Sequence, residues 1–398
     1  MKNKMKWATL ILLTLSFTAM AADNFYQKGL RSVRQGKLYS AIVFFQKALN
    51  RNPKNIKAHL NLASAYYRLR DRDKAEKVMN DVIQIHPFSL EANFNMALMY
   101  KKSNQLRTAA YYFEKVIKLR PSEFGAHYQL AQIYKSLGNY KKAKHYFHYI
   151  TGERPNDISL NLDYAEFLVE NKQYNSAGVL LKSLSSENPK NFTVNYTYAS
   201  FLDDRAYRVP ETIEQYKKTL SINERHVASR YNLAFNYEKQ GQLVLAERQY
   251  SILIFNFPKL AKAFVRLGVI AVKQNKTELA ESHFDSAIKL DKKLVVPYEE
   301  KGLIYVRREK FDQAAEQFSK LTDHHPSNPK AYLFNGWLYE KLGMDNQASK
   351  SYKKAIKHDP KGEMAKDYFQ RIGNQSEAYQ LLWEEKNPQR VPSSVETK

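Results

Sequence analysis

The sequence contains no cysteine among its 398 residues. Disulfide bonds, thiolate zinc sites, iron–sulfur clusters and cysteine nucleophiles are therefore excluded, and so is a lipid attached to an N-terminal cysteine. Acidic residues are few, since 40 Asp and Glu stand against 63 Lys and Arg, and the formal net charge is +23. Such a charge favours an anionic partner, but it does not distinguish nucleic acid, a membrane surface and an acidic glycan.

The N-terminus carries the three parts of a secretory signal peptide. Residues 1–6 contain three lysines, residues 7–17 form an apolar run, and residues 19–21 supply the small side chains of a cleavage site. The run is shorter than the roughly 20 apolar residues that span a bilayer. We therefore predict that residues 1–21 are a cleaved signal and that the mature protein is periplasmic or exported. The alternative is an uncleaved segment that anchors the protein in the inner membrane.

Export narrows the possible partners. An exported protein does not meet chromosomal DNA, so no nucleic-acid partner is expected. A secreted eukaryotic protein of this length without any cysteine would be unusual. The bacterial cell envelope is therefore the predicted location.

Prolines recur along the chain with a period of 34 residues. They are Pro53, Pro87, Pro121, Pro155, Pro189, Pro258, Pro326 and Pro360. With each proline numbered as position 32 of a repeat, position 8 is always small, position 20 is almost always Ala, and position 24 is mostly aromatic. Position 8 reads Gly29, Ala63, Ala97, Ala131, Ala165, Ala199, Ala234, Gly268, Gly302 and Gly336. This pattern resembles the tetratricopeptide repeat family.

The resemblance implies an all-α, right-handed superhelical solenoid of about ten helix-turn-helix repeats, in which the first helix of each repeat, helix A, lines a concave groove. The predicted repeats are 22–55, 56–89, 90–123, 124–157, 158–191, 192–226, 227–260, 261–294, 295–328 and 329–362. Positions 4, 7, 8 and 11 are expected to form the apolar face of helix A, and positions 20, 24 and 27 that of helix B. Stacking of successive repeats buries both faces.

Three further features of the array are predicted. The sixth repeat has one extra residue within 203–210, which indicates either a local bend or a loop offered to a partner. Residues 363–386 are predicted to form C-terminal capping helices, and residues 387–398 a disordered tail.

The sequence lacks motifs for chemistry. It has no Gly-rich phosphate loop, no GxSxG and no HExxH. His145 and His148 are spaced to share one helix face, but a solvated surface is the favoured interpretation over a metal site. We predict a non-enzymatic protein without cofactor or metal.

Several side chains are candidates for partner binding, because the resemblance implies that positions 2, 5, 6, 9, 12 and 13 of helix A hold extended peptides. Amides at position 6 can bond a peptide backbone without reading its sequence. The candidates of this kind are Asn61, Asn95, Gln129 and Asn232, and at position 13 Arg68 and Lys102 add positive charge. Packing between repeats is the alternative role for the amides.

Acidic residues in the fifth and sixth repeats interrupt the basic composition. Glu166, Glu170, Asp203 and Asp204 are predicted to bind a basic partner segment, with a solvated acidic face as the alternative. The third repeat is instead strongly basic over 101–120. Such a face could contact an anionic envelope component, namely lipid phosphate, lipopolysaccharide or an acidic glycan.

The predicted function is that of a protein-protein interaction scaffold or adaptor in the bacterial cell envelope. It would bind protein or peptide segments in the concave groove during pilus, secretion or envelope-complex assembly. The alternative is a component of an exopolysaccharide synthesis and export machinery.

Overall fold

The computed structural model describes residues 23–206 and 209–362. The prediction of an all-α chain of helix-turn-helix repeats is confirmed, because these residues form helices and turns and contain no strand. The signal predicted for residues 1–21 and the capping helices and tail predicted for residues 363–398 lie outside the described residues. None of the helices in the described part is long and apolar enough to cross a membrane.

The chain divides into two compact units, and the first is Met1–Leu184. Its helices alternate between helix A and helix B of successive repeats. They are α1 (23–34), α2 (Leu38–Arg51), α3 (Ile56–Arg68), α4 (Arg72–Ile85), α5 (Leu90–Lys102), α6 (Leu106–Leu119), α7 (Phe124–Ser136), α8 (Tyr140–Glu153), α9 (Ile158–Glu170) and α10 (Tyr174–Glu187), the last of which contains the division.

The second unit is Ser185–Lys398. It begins with α11 (Phe192–Phe201), which continues into a π-helical segment, Leu202–Ala206. The remaining helices are α12 (Val209–Ile222), α13 (Val227–Lys239), α14 (Leu243–Asn256), α15 (Ala261–Lys273), α16 (Thr277–Leu290), α17 (Val295–Arg307), α18 (Phe311–His324), α19 (Pro329–Lys341) and α20 (Asp345–His358).

Local sequence signals place the helix ends. Six of the A helices begin after a side chain that accepts a hydrogen bond from a backbone N–H of the first turn, which satisfies a donor that the helix leaves unpaired. These caps are Asn55, Ser89, Asp157, Asn191, His226 and Asn328. The turn from helix A to helix B contains a left-handed residue at position 15 in nine repeats, and glycine occupies it in four of them. Glycine adopts this conformation without steric cost.

Position 8 is small because the aromatic ring at position 24 of the same repeat packs against it. A Cβ placed on Gly29 would lie 2.5 Å from Cε1 of Phe45, and one on Gly302 would collide with the ring of Phe318. Both rings are fully buried. In the eight repeats with an aromatic residue at position 24, the helix pair is therefore held at the separation that this ring requires.

Replacing Gly302 with valine should lower the free energy of unfolding by about 1–3 kcal/mol, because the branched side chain overpacks a full core. Gly152 lies in α8, where an added Cβ would meet no atom within 4 Å, so Gly152→Val is the matched control and should cost less than about 0.5 kcal/mol. Hydrogen exchange of the α17 and α18 amides measures the effect. Equal protection in the Gly302→Val variant and the wild type would contradict this account of position 8.

Position 4 of helix A is polar in six successive repeats, so its expected apolar character is wrong there. Nδ2 of Asn93, Asn161 and Asn195 donates to the carbonyl oxygen six residues earlier, at 3.1, 2.8 and 3.3 Å. Nε2 of His127 lies 2.7 Å from the equivalent oxygen, and Nη2 of Arg230 donates to it at 2.7 Å. That oxygen belongs to position 32, in the turn between repeats. These side chains therefore tie the turn to helix A by pairing a carbonyl that would otherwise need water.

The sixth repeat accommodates its extra residue inside helix A. In the other described repeats of the second unit helix A has 13 residues, whereas α11 has 10 and is followed by the 5-residue π-helical segment. A π-helical turn takes one residue more than an α-helical turn. Residues 202–206 are therefore helical, while the two alternatives for the interval 203–210, a local bend and a loop offered to a partner, stay predictions.

Polar side chains also enter the core of the sixth repeat. Oγ of Ser185 donates to Oδ1 of Asn195 at 2.7 Å, and Nε2 of Gln215 donates to the same oxygen at 2.9 Å. Thr212 replaces the alanine found at position 20 elsewhere and is buried. The three side chains of this network pair with one another, which a buried polar group requires if it is not to destabilise the fold.

His226 makes the stability of the second unit depend on pH. Its Nδ1 accepts the hydrogen bond from the Ser229 N–H at 3.2 Å, and its ring lies edge-on to Phe192 and Tyr196, at 4.8 and 4.9 Å. Burial lowers the pKa of His226 below its usual 6.5. The folded state therefore binds fewer protons than the unfolded state. The contribution of neutral His226 to stability is fully present above pH 6.5 and is lost as the pH falls below that value.

We expect His226→Asn to remove part of this pH dependence, because asparagine caps α13 without titrating. His283 has a pKa that burial also lowers, so some dependence will remain. Urea unfolding at pH 7.5 and pH 5.5 measures the difference between the two proteins. An unchanged pH dependence in His226→Asn would show that this histidine does not contribute.

Candidate functional site

The groove face of the first unit is the surface formed by positions 2, 5, 6, 9, 12 and 13 of its A helices. Between α3 and α5 this face contains a cavity of about 110 Å³. Its lining combines apolar and polar side chains and consists of Leu60, Ala63, Ser64, Tyr67, Met79, Asn95, Leu98, Met99 and Lys102. Two of the predicted binding residues, Asn95 and Lys102, therefore meet at one cavity.

The predicted amides bond within the protein through part of their hydrogen-bonding capacity. Nδ2 of Asn61 donates to the Tyr26 hydroxyl at 3.3 Å, and Nδ2 of Asn95 donates to the carbonyl of Glu91 at 2.8 Å. Oε1 of Gln129 accepts a hydrogen bond from Lys101 at 2.6 Å. In the second unit, Nδ2 of Asn232 donates to the hydroxyl of Tyr216 at 2.9 Å. These bonds fit the packing role, while a second role in binding stays a prediction.

The acidic residues of the fifth repeat are paired with a lysine of the fourth. Lys135 Nζ lies 3.4 Å from Oε2 of Glu166 and 3.1 Å from Oε1 of Glu170. The lysine side chain is only 18% exposed, so both carboxylates lie against a cation that is largely withdrawn from water. A basic partner would have to compete with this internal cation.

Asp203 and Asp204, the acidic residues of the sixth repeat, differ in their surroundings. Oδ1 of Asp203 lies 2.9 Å from Nζ of Lys239, and its other oxygen accepts a hydrogen bond from Tyr216 at 3.4 Å. Asp204 is exposed. Binding of a basic segment by Asp203 and Asp204 stays a prediction.

The groove face around α3 and α5 carries cations without acidic partners. Within the described residues, no carboxylate lies at salt-bridge distance from Arg68, Lys101 or Lys102. Lys102 Nζ instead lies 5.6 Å from the centre of the Tyr67 ring. Burial lowers the pKa of Lys101, whose ammonium group is bonded to Gln129. On this part of the groove face the cations Arg68, Lys101 and Lys102 outnumber Glu91, the exposed acid in the first turn of α5.

The second unit holds a buried carboxylate on its A helices. The Glu238 side chain is 4% exposed and pairs with Arg266, whose Nε donates to Oε2 at 3.0 Å. Lys273 Nζ donates to the other oxygen at 2.9 Å. The Arg266 guanidinium also lies 5.0 Å from the centre of the Phe235 ring. Phe235, at position 9 of the seventh repeat, is therefore covered on one side of its ring by the Arg266 guanidinium.

The basic third repeat does not form one charged face. Lys101 and Lys102 lie on the groove face, whereas Lys115 belongs to α6 and sits 5.6 Å from the rings of both Tyr111 and Tyr112. The charge is therefore split between two sides of the repeat. Contact with an anionic envelope component stays a prediction.

Several groove residues were not singled out from the sequence. Tyr67 and Lys135 occupy position 12, and Leu98 occupies position 9. Both positions belong to the groove set. Tyr67 and Leu98 cannot be told from core residues by pattern alone, and nothing in the sequence distinguishes Lys135 from the many other lysines. No cluster of three or more metal-ligating side chains occurs in the part of the chain that the structure describes.

Family models described as tetratricopeptide repeat match residues 32–93, 90–123, 112–145, 136–201, 261–294 and 300–363, which together exceed half of the chain. The chain belongs to the tetratricopeptide repeat family. The repeat resemblance drawn from the proline period is thereby confirmed. No curated protein matches this tetratricopeptide repeat chain.

Solved structures resemble parts of the chain. A crystal structure of MamA is 25% identical and covers 38% of this chain and 90% of its own, with a TM-score of 0.36. YrrB, described as a TPR protein with an unusual peptide-binding site, is 19% identical and covers 45% of this chain and 92% of its own, with a TM-score of 0.37. Naa15/Naa10 bound to HypK-THB is 12% identical and covers 94% of this chain and 69% of that one, with a TM-score of 0.46. At these scores the similarities support no functional inference.

Proposed function

We propose that this tetratricopeptide repeat protein is a non-enzymatic scaffold of the bacterial cell envelope. It binds segments of partner proteins on the groove face, in pilus, secretion or envelope-complex assembly. The observation that carries the proposal is the cavity between α3 and α5, which brings apolar side chains, Asn95 and Lys102 to one open site. Binding pockets combine an apolar lining with a few polar groups in this way.

The groups at this cavity suit a peptide. The carbonyl oxygen of Asn95 faces no donor among the described residues, since the hydrogen bonds of that side chain use its amino group. Such an oxygen can accept from a peptide N–H. Met99 supplies flexible apolar surface that adapts to different side chains, and the buried Met79 lies behind it in the cavity wall.

Site-specific photo-crosslinking tests the proposal. A benzoylphenylalanine at Glu91, which is exposed on α5 one turn before Asn95, should capture discrete partner proteins in living cells. The same group at Tyr111, which is 56% exposed on α6, is the matched control and should capture little. Equal adducts at both positions, or none at Glu91, would contradict partner binding on the groove face.

The location in the envelope rests on the sequence of residues 1–21. Cell fractionation with a C-terminal epitope tag should place the protein in the periplasmic or inner-membrane fraction. Deletion of residues 2–21 should shift it to the cytoplasm. Cytoplasmic location of the full-length protein would overturn this part of the proposal.

A further inference from the structure

The charges on the groove face indicate the chemistry of the partner. Glu166 and Glu170, which the sequence suggested for a basic partner, already lie against Lys135. Around α3 and α5 the cations Arg68 and Lys102 have no such counter-charge among the described residues. An incoming anion would therefore gain attraction without displacing an internal salt bridge, whereas an incoming cation would be repelled by Lys101 and Lys102 in the last turn of α5.

Among the cations near α5, Lys101 gives the clearest indication that an anion binds here. Lys101 is half-buried, and its ammonium group donates a hydrogen bond at 2.6 Å to Oε1 of Gln129, a neutral acceptor. A partly buried cation without a counter-charge bears a desolvation cost, and an anion placed beside it would offset that cost. The site is thus electrostatically incomplete among the residues described.

The cavity beside Lys102 has an apolar part within a mixed lining that also includes Ser64 and Asn95. Leu60, Tyr67, Met79, Leu98 and Met99 provide most of its wall, and its volume is about 110 Å³. A dry cavity of about 150 Å³ holds benzene in a well-studied case, so this space is of the size of one aliphatic side chain. Lys102 belongs to the same wall, which places a positive charge next to the apolar space.

We infer that the segment bound between α3 and α5 inserts one aliphatic side chain into this cavity and sets Asp or Glu side chains beside it against Arg68, Lys101 and Lys102. The inference rests on the proposed function and adds the chemistry of the partner. The partner would bind this part of the groove face through an internal stretch of its own chain that carries both apolar and acidic side chains.

Fluorescence anisotropy of the full mature chain with labelled peptides tests the inference. The probe is the amidated, acetylated peptide GSDELLDEGS. One comparison peptide has Asn and Gln in place of Asp and Glu, a second has Ala in place of both leucines, and a third has Lys in place of the acids. We expect the probe to bind at least tenfold more tightly than each comparison peptide, and its affinity to fall as salt rises.

Charge-matched variants locate the binding. Arg68→Gln combined with Lys102→Gln should weaken the probe at least tenfold. Lys115→Gln combined with Lys118→Gln removes the same charge from α6 of the same chain and should leave affinity unchanged. Circular dichroism of both double variants verifies the fold.

Five results would overturn the inference, of which four concern the peptides and the variants. They are tighter binding of the lysine peptide, no binding of any peptide at millimolar concentration, equal effects of the two double variants, and affinity that requires a free C-terminal carboxylate in place of the acidic side chains. A groove-dependent self-association, seen by sedimentation and abolished in the Arg68 and Lys102 variant, would assign the face to a second copy of the chain and also overturn it. Partner capture at Glu91 would survive any of these results, so the proposed function is judged separately.

Discussion

Replacing Arg266 with methionine should lower the free energy of unfolding of the second unit by about 3 kcal/mol. The change leaves Glu238, whose side chain is 4% exposed, with only Lys273 as a cationic partner among the described residues. Lys273 is itself 48% exposed and therefore compensates the buried charge weakly. Hydrogen exchange of the α13 and α15 amides measures the loss, because unfolding of a repeat array need not be two-state.

Two further variants separate the buried charge from simple loss of packing. Adding Glu238→Leu to Arg266→Met should restore most of the stability, since a buried ion pair can be replaced by apolar side chains at little cost. Lys217→Met breaks a pair with Glu214 in which the side chains are 47% and 71% exposed, and it should cost less than about 1 kcal/mol. If the double variant is as unstable as Arg266→Met alone, the uncompensated carboxylate is not the cause.

Phe113→Ala should cost the first unit about 3–5 kcal/mol. The Phe113 ring is fully buried in the third repeat and lies edge-on to Phe94 with ring centres 5.2 Å apart. Removing it leaves a cavity between α5 and α6 that the neighbouring helices cannot fill. Because each repeat contacts its neighbours only, the loss of amide protection should be greatest in α5 and α6 and fall off along the chain.

Tyr111→Ala is the control for this truncation. Tyr111 lies two residues earlier on the same helix and is 56% exposed, so its removal should change stability by less than about 0.5 kcal/mol. Hydrogen exchange followed by mass spectrometry reports both variants segment by segment. Uniform loss of protection over the whole chain in Phe113→Ala would show that the array unfolds as one unit.

The helical hairpins could be predicted because their signals are local. A proline after helix B, an alanine at position 20 and a small residue at position 8 each report a contact made within one repeat. The pairing of Gly302 with Phe318 is such a contact, over 16 residues of chain. The polar residues at position 4, such as Asn93, are visible in the sequence, but only the structure shows that they are buried and that Asn93 pairs with a carbonyl in the turn between repeats.

The candidate site could be predicted only in part. Two residues predicted to bind a partner, Lys102 at position 13 and Asn95 at position 6, line the cavity, and their role in binding stays a prediction. The acidic residues looked unusual in a basic chain, but the sequence could not show that Glu170 lies 3.1 Å from Lys135, a residue of the preceding repeat. Long charged side chains have several rotatable bonds, so their partners follow from packing and not from spacing.

The sequence by itself determined the family, the helix pairs and their 34-residue period, because each repeat encodes the same short-range contacts. It also determined that cysteine chemistry is absent. Only the tertiary structure decided which charges remain available on the groove face. Ion pairing depends on distances between side chains of neighbouring repeats. Lys135 of α7 lies against Glu166 and Glu170 of α9. Among the described residues, no carboxylate lies at salt-bridge distance from Arg68, Lys101 or Lys102.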